Sequence, residues 1–108
     1  MELLTKQVEE DLKKNRDILE MDRRPVVKYF YPAGSATWLI SEIDDDGDGL
    51  FGLCDLGMGH PELGYVSLSE LKAAKGPLGL GIERDLHWSA DRTLSEYADV
   101  AREVGYIE

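Results

Sequence analysis

Residues 44–55 set out oxygen ligands in an order that could hold a cation. Asp44, Asp46, Asp48 and Asp55 take positions 1, 3, 5 and 12 of a twelve-residue stretch, and Gly49 takes position 6. That is the key pattern of a calcium-binding loop between two helices, in which alternate carboxylates wrap the ion and the glycine permits a sharp turn. Three features weaken the match. Asp55 is shorter than the glutamate that usually closes such a loop. Phe51 stands where a small branched residue is usual. The flanks, Thr37 to Ile43 and Leu50 to Leu56, have the composition of strands rather than helices. The competing reading is a polar hairpin turn in which Asp and Gly supply the backbone angles.

Other chemistry-bearing residues are sparse. His60 and His87 are the two histidines, and Cys54 is the one cysteine. A zinc site would have to combine the histidines with Cys54 and Asp55, and their spacing matches no zinc pattern. Cys54 with His60 as nucleophile and base lacks an orienting third group and an oxyanion loop. A lone cysteine in an apolar strand reads as a small core residue. Gly76-Pro77-Leu78-Gly79-Leu80-Gly81 has no lysine followed by Ser or Thr, so it is no phosphate loop. It reads as a structural loop with Leu78 and Leu80 packed inward. Polar residues on a strand that leaves such a loop can line a pocket, which makes Arg84, Asp85, His87 and Trp88 the pocket candidates. Against this, Arg84 between Glu83 and Asp85 suits an ion-pair network. No catalytic residue and no cofactor follow from these patterns.

The charge is uneven. The chain carries 22 acids and 12 bases over 108 residues, a net charge of −10. Residues 1–28 balance seven acids with seven bases. Residues 29–71 hold eight acids (Glu42, Asp44, Asp45, Asp46, Asp48, Asp55, Glu62, Glu70) and neither Lys nor Arg. This argues against direct nucleic-acid binding, which needs cations to neutralise phosphates. It favours a basic protein partner or a cation, with solubility alone as the competing reading. No apolar run approaches the roughly 20 residues that span a bilayer, and no basic-then-apolar leader opens the chain. A single cysteine fits a reducing cytoplasm.

The elements that would position these residues follow from periodicity. Leu4, Val8 and Leu12 lie on one face of an N-terminal helix that Thr5 can cap. Val26 to Tyr31, Thr37 to Ile43, Leu50 to Leu56 and Leu63 to Ser67 read as strands, with the acidic loop inside a hairpin. In the second strand, Trp38 and Ile40 share one face, and Leu39 and Ile43 the other. Ser67 to Glu70 is a capping box that opens a short helix to Ala74. Ile82 to Trp88 reads as a further strand. Thr93 to Glu96 is a second capping box, opening a helix with Leu94, Tyr97, Ala98, Ala101 and Val104 on one stripe and Gly105 as its C-cap. The expectation is one α+β domain over residues 1–108: an antiparallel sheet of three to five strands packed with an N-terminal, a short middle and a C-terminal helix, all on one face.

Several of these segments together resemble a known family. They are Leu3-Leu4-Thr5-Lys6, Val27 to Pro32, Thr37-Trp38, Gly64 to Leu71 and, above all, Gly76 to Trp88. The family is an uncharacterised bacterial domain of about one hundred residues, often carried on plasmids, phages and other mobile elements. The resemblance covers residues 2–90 and implies a small cytosolic protein, an accessory factor of a mobile element. It implies no activity, cofactor or catalytic residue. Within the family the acidic stretch varies in pattern, which weighs against a conserved cation loop.

Three function classes remain, in order of preference. The first is a non-enzymatic interaction protein that engages a protein partner through an acidic face built from Glu42, Asp44, Asp45, Asp46 and Asp48. The second is binding of calcium or another cation by Asp44, Asp46, Asp48 and Asp55. The third is a small enzyme with a pocket near the Gly76–Gly81 loop, Arg84 and His87.

Overall fold

The computed structural model describes residues 1–76 and 79–108, apart from the side chain of Asp22. Five strands form one antiparallel sheet: β1 (Val27–Phe30), β2 (Thr37–Ile43), β3 (Gly49–Asp55), β4 (Glu62–Ser67) and β5 (Glu83–Arg84), in the spatial order β4-β3-β2-β1-β5. Three helices, α1 (Lys6–Lys14), α2 (Leu68–Ala73) and α3 (Leu94–Val104), complete an α+β fold.

The helix ends follow their local sequence. Thr5 Oγ1 accepts from the Val8 amide at 3.1 Å and starts α1. Thr93 and Glu96 form the full reciprocal box that starts α3, at 3.2 and 2.9 Å. Gly105 closes α3 at φ 88°, a left-handed angle that glycine adopts without cost. At α2 only half of the expected box forms: Ser67 Oγ accepts from the Glu70 amide at 3.2 Å. Further contacts at the start of α2 come from a residue elsewhere in the chain, described below.

The helices do not share one face, contrary to expectation. Trp38, Ile40 and Ile43 pack with Leu12 of α1 and with Leu68 and Leu71 of α2. Leu39 and Leu53 point the other way and pack with Leu94, Ala98 and Ala101 of α3. The sheet is therefore covered on both sides, and Leu39 to Ile40 are buried on alternate faces because both faces are dry. Ile43 joins Ile40 rather than Leu39 because the β2–β3 register slips between Ile40 and Glu42. The extra residue, Ser41, is a β-bulge that shifts every later side chain by one face. Its carbonyl accepts from Asn15 Nδ2 at 2.8 Å, and the same amide donates to the Arg24 carbonyl at 2.8 Å. Gly52 lies opposite the bulge, where a Cβ would overlap the Leu39 carbonyl.

The expected strand from Ile82 to Trp88 is only two residues long. Asp85 ends it: its amide still reaches the Lys28 carbonyl at 3.0 Å, but its carboxylate accepts from the His87 amide at 3.0 Å and turns the chain. At the other edge, β4 pairs with β3 over six residues without a bulge and leaves Leu63 and Tyr65 exposed. Leu80 is exposed rather than packed inward, and Leu78 lies outside the described residues. No helix among the described residues is long and apolar enough to cross a membrane.

Candidate functional site

The acidic loop is the turn between β2 and β3, and Asp/Gly chemistry shapes it. The Asp44 amide donates to the Gly49 carbonyl at 2.8 Å, and the Gly47 amide to the Asp44 carbonyl at 3.0 Å. Gly47 sits at φ 76°. Asp46 Oδ1 accepts from the amides of Asp48 and Gly49 at 2.8 and 3.1 Å. Those two amides hold the Asp46 carboxyl below the ordinary carboxylate value.

Asp48 reaches across to α2. Its carboxylate accepts from Ser67 Oγ at 2.6 Å, from the Ser69 amide at 2.8 Å and from Ser69 Oγ at 3.2 Å, while its carbonyl accepts from the Leu68 amide at 2.8 Å. The free amides of Leu68 and Ser69 at the start of α2 are thus satisfied by a residue about 20 positions earlier. The Ser67 hydroxyl first, then the Ser69 amide, hold the Asp48 carboxyl low. Both contacts favour the charged form.

The acidic segment is also compensated from outside itself. Arg16 pairs with Asp45, and Arg23 Nη1 meets Glu42 Oε1 at 3.1 Å. Arg23 further donates to the carbonyls of Ile18 and Arg16 at 2.8 and 3.1 Å. The two arginines come from the neutral N-terminal segment, so the tip is less bare than the linear charge count suggests. Asp44 keeps its carboxylate over Gly49, exposed.

The five acids assigned to one face therefore divide. Asp44, Asp45 and Asp46 are exposed at the tip. Glu42 is half-buried beside Arg23, and Asp48 is committed to α2. Between the tip and the start of α2 runs a groove of about 360 Å³, with Asp44 and Glu70 in its walls and Tyr65 and Ser67 beside them. The Tyr65 ring packs edge-on against Phe51 at 5.0 Å and is otherwise exposed. Sequence reasoning did not join Tyr65 and Glu70 to the tip. The signal for Tyr65 was the hairpin register, since Phe51 lies directly opposite it, and Glu70 follows because α2 starts where β4 ends.

The cation-ligand set does not assemble. Asp55 stands at the far end of β3 from the loop, about 20 Å along the strand at about 3.4 Å per residue. It is buried, and accepts from the Gly57 amide at 2.8 Å and the Ile107 amide at 3.0 Å, tying the chain end after α3 to the sheet. Among the described residues, no group of three His, Cys, Asp or Glu converges as a metal site. His60 is an exposed turn residue, away from His87 on the far edge of the sheet. Burial alone pushes the Cys54 thiol up to about 11, the opposite of an activated nucleophile.

The pocket candidates also part company. Arg84 directs Nε to the Glu2 carbonyl at 3.2 Å, and its amide donates to Met1 Sδ at 3.0 Å. Asp85 faces Lys28 at 3.9 Å. His87 is exposed, and Trp88 packs on Tyr97 on the α3 face. A hollow of about 410 Å³ does lie beside the glycine loop. It is lined by Gly79 to Glu83, by Met1 to Leu3 and by Lys72, without Arg84 or His87.

The family described as proteins of unknown function, DUF2958, matches the chain over residues 3–108. No curated protein and no solved structure gives a significant match.

Proposed function

This chain belongs to the DUF2958 family, and from that premise we propose that it is a small non-enzymatic interaction protein that engages a basic protein partner through the hairpin tip. The observation that carries the reading is the groove between the tip and α2. Asp44 and Glu70 supply two carboxylates, and the exposed face of Tyr65 supplies a surface on which a cation can rest. A lysine or arginine of the partner would enter there, with the exposed Asp46 raising the local negative potential and speeding encounter. A cytoplasmic location and a role as an accessory factor of a mobile element fit the reading. They rest on the lone cysteine and on the resemblance of the Gly76 to Trp88 block.

The cation and enzyme readings gain no support from the geometry of Asp55, Arg84 or His87 given above. The test compares the wild type with the pair Asp44→Asn and Glu70→Gln as baits in a bacterial lysate. A partner should be captured by the wild type at about 0.1 M salt, released at about 1 M, and lost with the neutral pair. Capture that survives both changes overturns the proposal.

A further inference from the structure

β4 ends the sheet on one side, in the order β4-β3-β2-β1-β5. Its register fixes which backbone groups face outward. The Leu68 amide donates to the Asp48 carbonyl at 2.8 Å, and Gly49 lies opposite Ser67, so Asp48 and Leu68 are a hydrogen-bonded pair. Such pairs recur at every second residue of an antiparallel ladder, so Val66 and Gly64 turn their amides and carbonyls toward β3. Leu63 and Tyr65 turn theirs away from the sheet, as Ser67 does its amide. No backbone group meets them among the described residues. Pro61 and the exposed Glu62 guard the start of the strand, and beyond them the edge is open. A row of outward amides and carbonyls is the template on which another extended backbone can pair.

Gly64 is a second, independent sign. Glycine inside a strand weakens it, and usually answers to a bulge, a bend or a close approach. Here the β3–β4 ladder has no bulge, Gly64 is not among the glycines with a left-handed φ, and a Cβ would meet nothing within 4 Å. Gly52, directly opposite, makes the contrast: its hydrogen leaves room for the Leu39 carbonyl. Nothing in the described chain needs the room at Gly64. The reason left for such a glycine is a backbone arriving from outside.

Charge selects the composition of that backbone. A second copy of this chain would bring a net charge of −10 against −10, whereas a basic segment is attracted. The edge also runs into the acidic groove, because Tyr65, Val66 and Ser67 form its wall together with Asp44 and Glu70. Side chains of an added strand alternate between the two faces. A lysine or arginine beside Val66 reaches the groove, and the residues before and after it lie on the side of the exposed Leu63 and Tyr65.

We propose that β4 is extended by a basic segment of the partner, which adds as a further strand with backbone bonds to Leu63 and Tyr65 and a lysine or arginine in the groove. The inference rests on the reading of the groove given above and names the form in which the cation arrives.

The probe is a peptide of about eight residues that alternates lysine and valine, long enough for one strand. Its counterpart alternates glutamate and valine. Amide exchange is followed by NMR on the full chain. With the lysine peptide at saturation, exchange at the Leu63 and Tyr65 amides should slow by about tenfold or more, and the glutamate peptide should change neither. Leu63→Pro removes one outward donor and places a ring in the path of the strand, while leaving the bonds to β3 and the groove residues in place. It should weaken the lysine peptide about tenfold, and Asp44→Asn with Glu70→Gln should weaken it by a similar factor. The exchange measurement on the wild type stands whether or not the proline variant folds. Binding that the neutral pair loses, but with no slowed exchange at Leu63 and Tyr65 or with full affinity in a folded Leu63→Pro, overturns strand addition and leaves the groove reading standing. No binding, equal binding to the neutral pair, or equal binding of the glutamate peptide overturns the groove reading and this inference together. Slow exchange without peptide that deepens with protein concentration gives the edge to a second copy and overturns the proposal.

Discussion

Replacing Asn15 by alanine should cost the protein a large part of its stability. Asn15 is 7% exposed, closes α1, and spends both amide hydrogens on carbonyls that have left the regular ladders, those of Arg24 and Ser41. Alanine removes both donors and strands two acceptors. A buried acceptor left unpaired costs about 1–3 kcal/mol. The Arg24 contact is only partly buried, so it belongs at the low end and the Ser41 contact higher. The total is about 2–4 kcal/mol. For a domain near 100 residues, 1 kcal/mol lowers Tm by about 4–8 °C, so a drop of about 8–32 °C is expected. Urea unfolding followed by circular dichroism gives the free energy, and a thermal melt gives the shift. Asn15→Asp sharpens the test. It keeps the shape but turns a carboxylate oxygen toward carbonyl oxygens, so it should be at least as damaging as alanine at neutral pH. An alanine variant within about 0.5 kcal/mol of the wild type, or an aspartate variant as stable as the wild type, would show that the bulge does not depend on this amide.

Gly52→Ala should destabilise by more than about 2 kcal/mol, because the new Cβ meets backbone of β2 rather than a movable side chain; a smaller loss in the same urea assay would mean the bulge can shift to make room. Asp46 and Asp48 ionise more readily folded than unfolded, so their contribution is complete above the ordinary carboxylate value of 3.8 and is lost as pH falls through their lower folded values. Amide exchange at Ser69 and Glu70 should therefore quicken as the pH drops below that value, after correction for intrinsic rates, and protection that holds to about pH 2 would contradict the assignment. With its thiol near 11, Cys54 should react with a disulfide reagent at pH 8 a few hundredfold more slowly than free cysteine; comparable rates would mean that the thiolate is stabilised.

The parts of the fold legible in the sequence are those written by neighbours. Thr5, Ser67, Thr93 and Gly105 mark helix ends through bonds spanning three or four residues, and each does so in the structure. The strands were legible from composition, since β-branched and aromatic residues fill them. The second covered face was also written, in the unbroken Trp38-Leu39-Ile40, because a half-wet strand would alternate with polar residues. What stayed hidden depends on distant partners. Nothing near Ser41 announces a bulge, because its carbonyl is met by Asn15, 26 positions earlier. Nothing near Asp48 shows that it serves α2, 21 positions from Ser69. The counterions of the acidic segment, Arg16 and Arg23, lie outside the window in which the charge was counted. The candidate groove was half legible for the same reason: Asp44 was visible, while Tyr65 and Glu70 arrive only through the β3–β4 register.

The free edge at β4 has a consequence for how the protein behaves in a crowded solution. Natural sheets blunt their outer strands with lysines, prolines or bulges. In β4 the protection sits at one end, Pro61 before the strand and the exposed Glu62 at its start, and from Leu63 to Ser67 there is no further proline, lysine, charge or bulge. Two copies meeting there could continue each other's ladder, and only their mutual repulsion, at a net charge of −10, holds them apart. That repulsion fades toward the isoelectric point near 4.6. The excess of carboxylates then works as colloidal insulation for an unguarded seam. Loss of solubility on acidification should begin with Leu63 and Tyr65, well before the core opens.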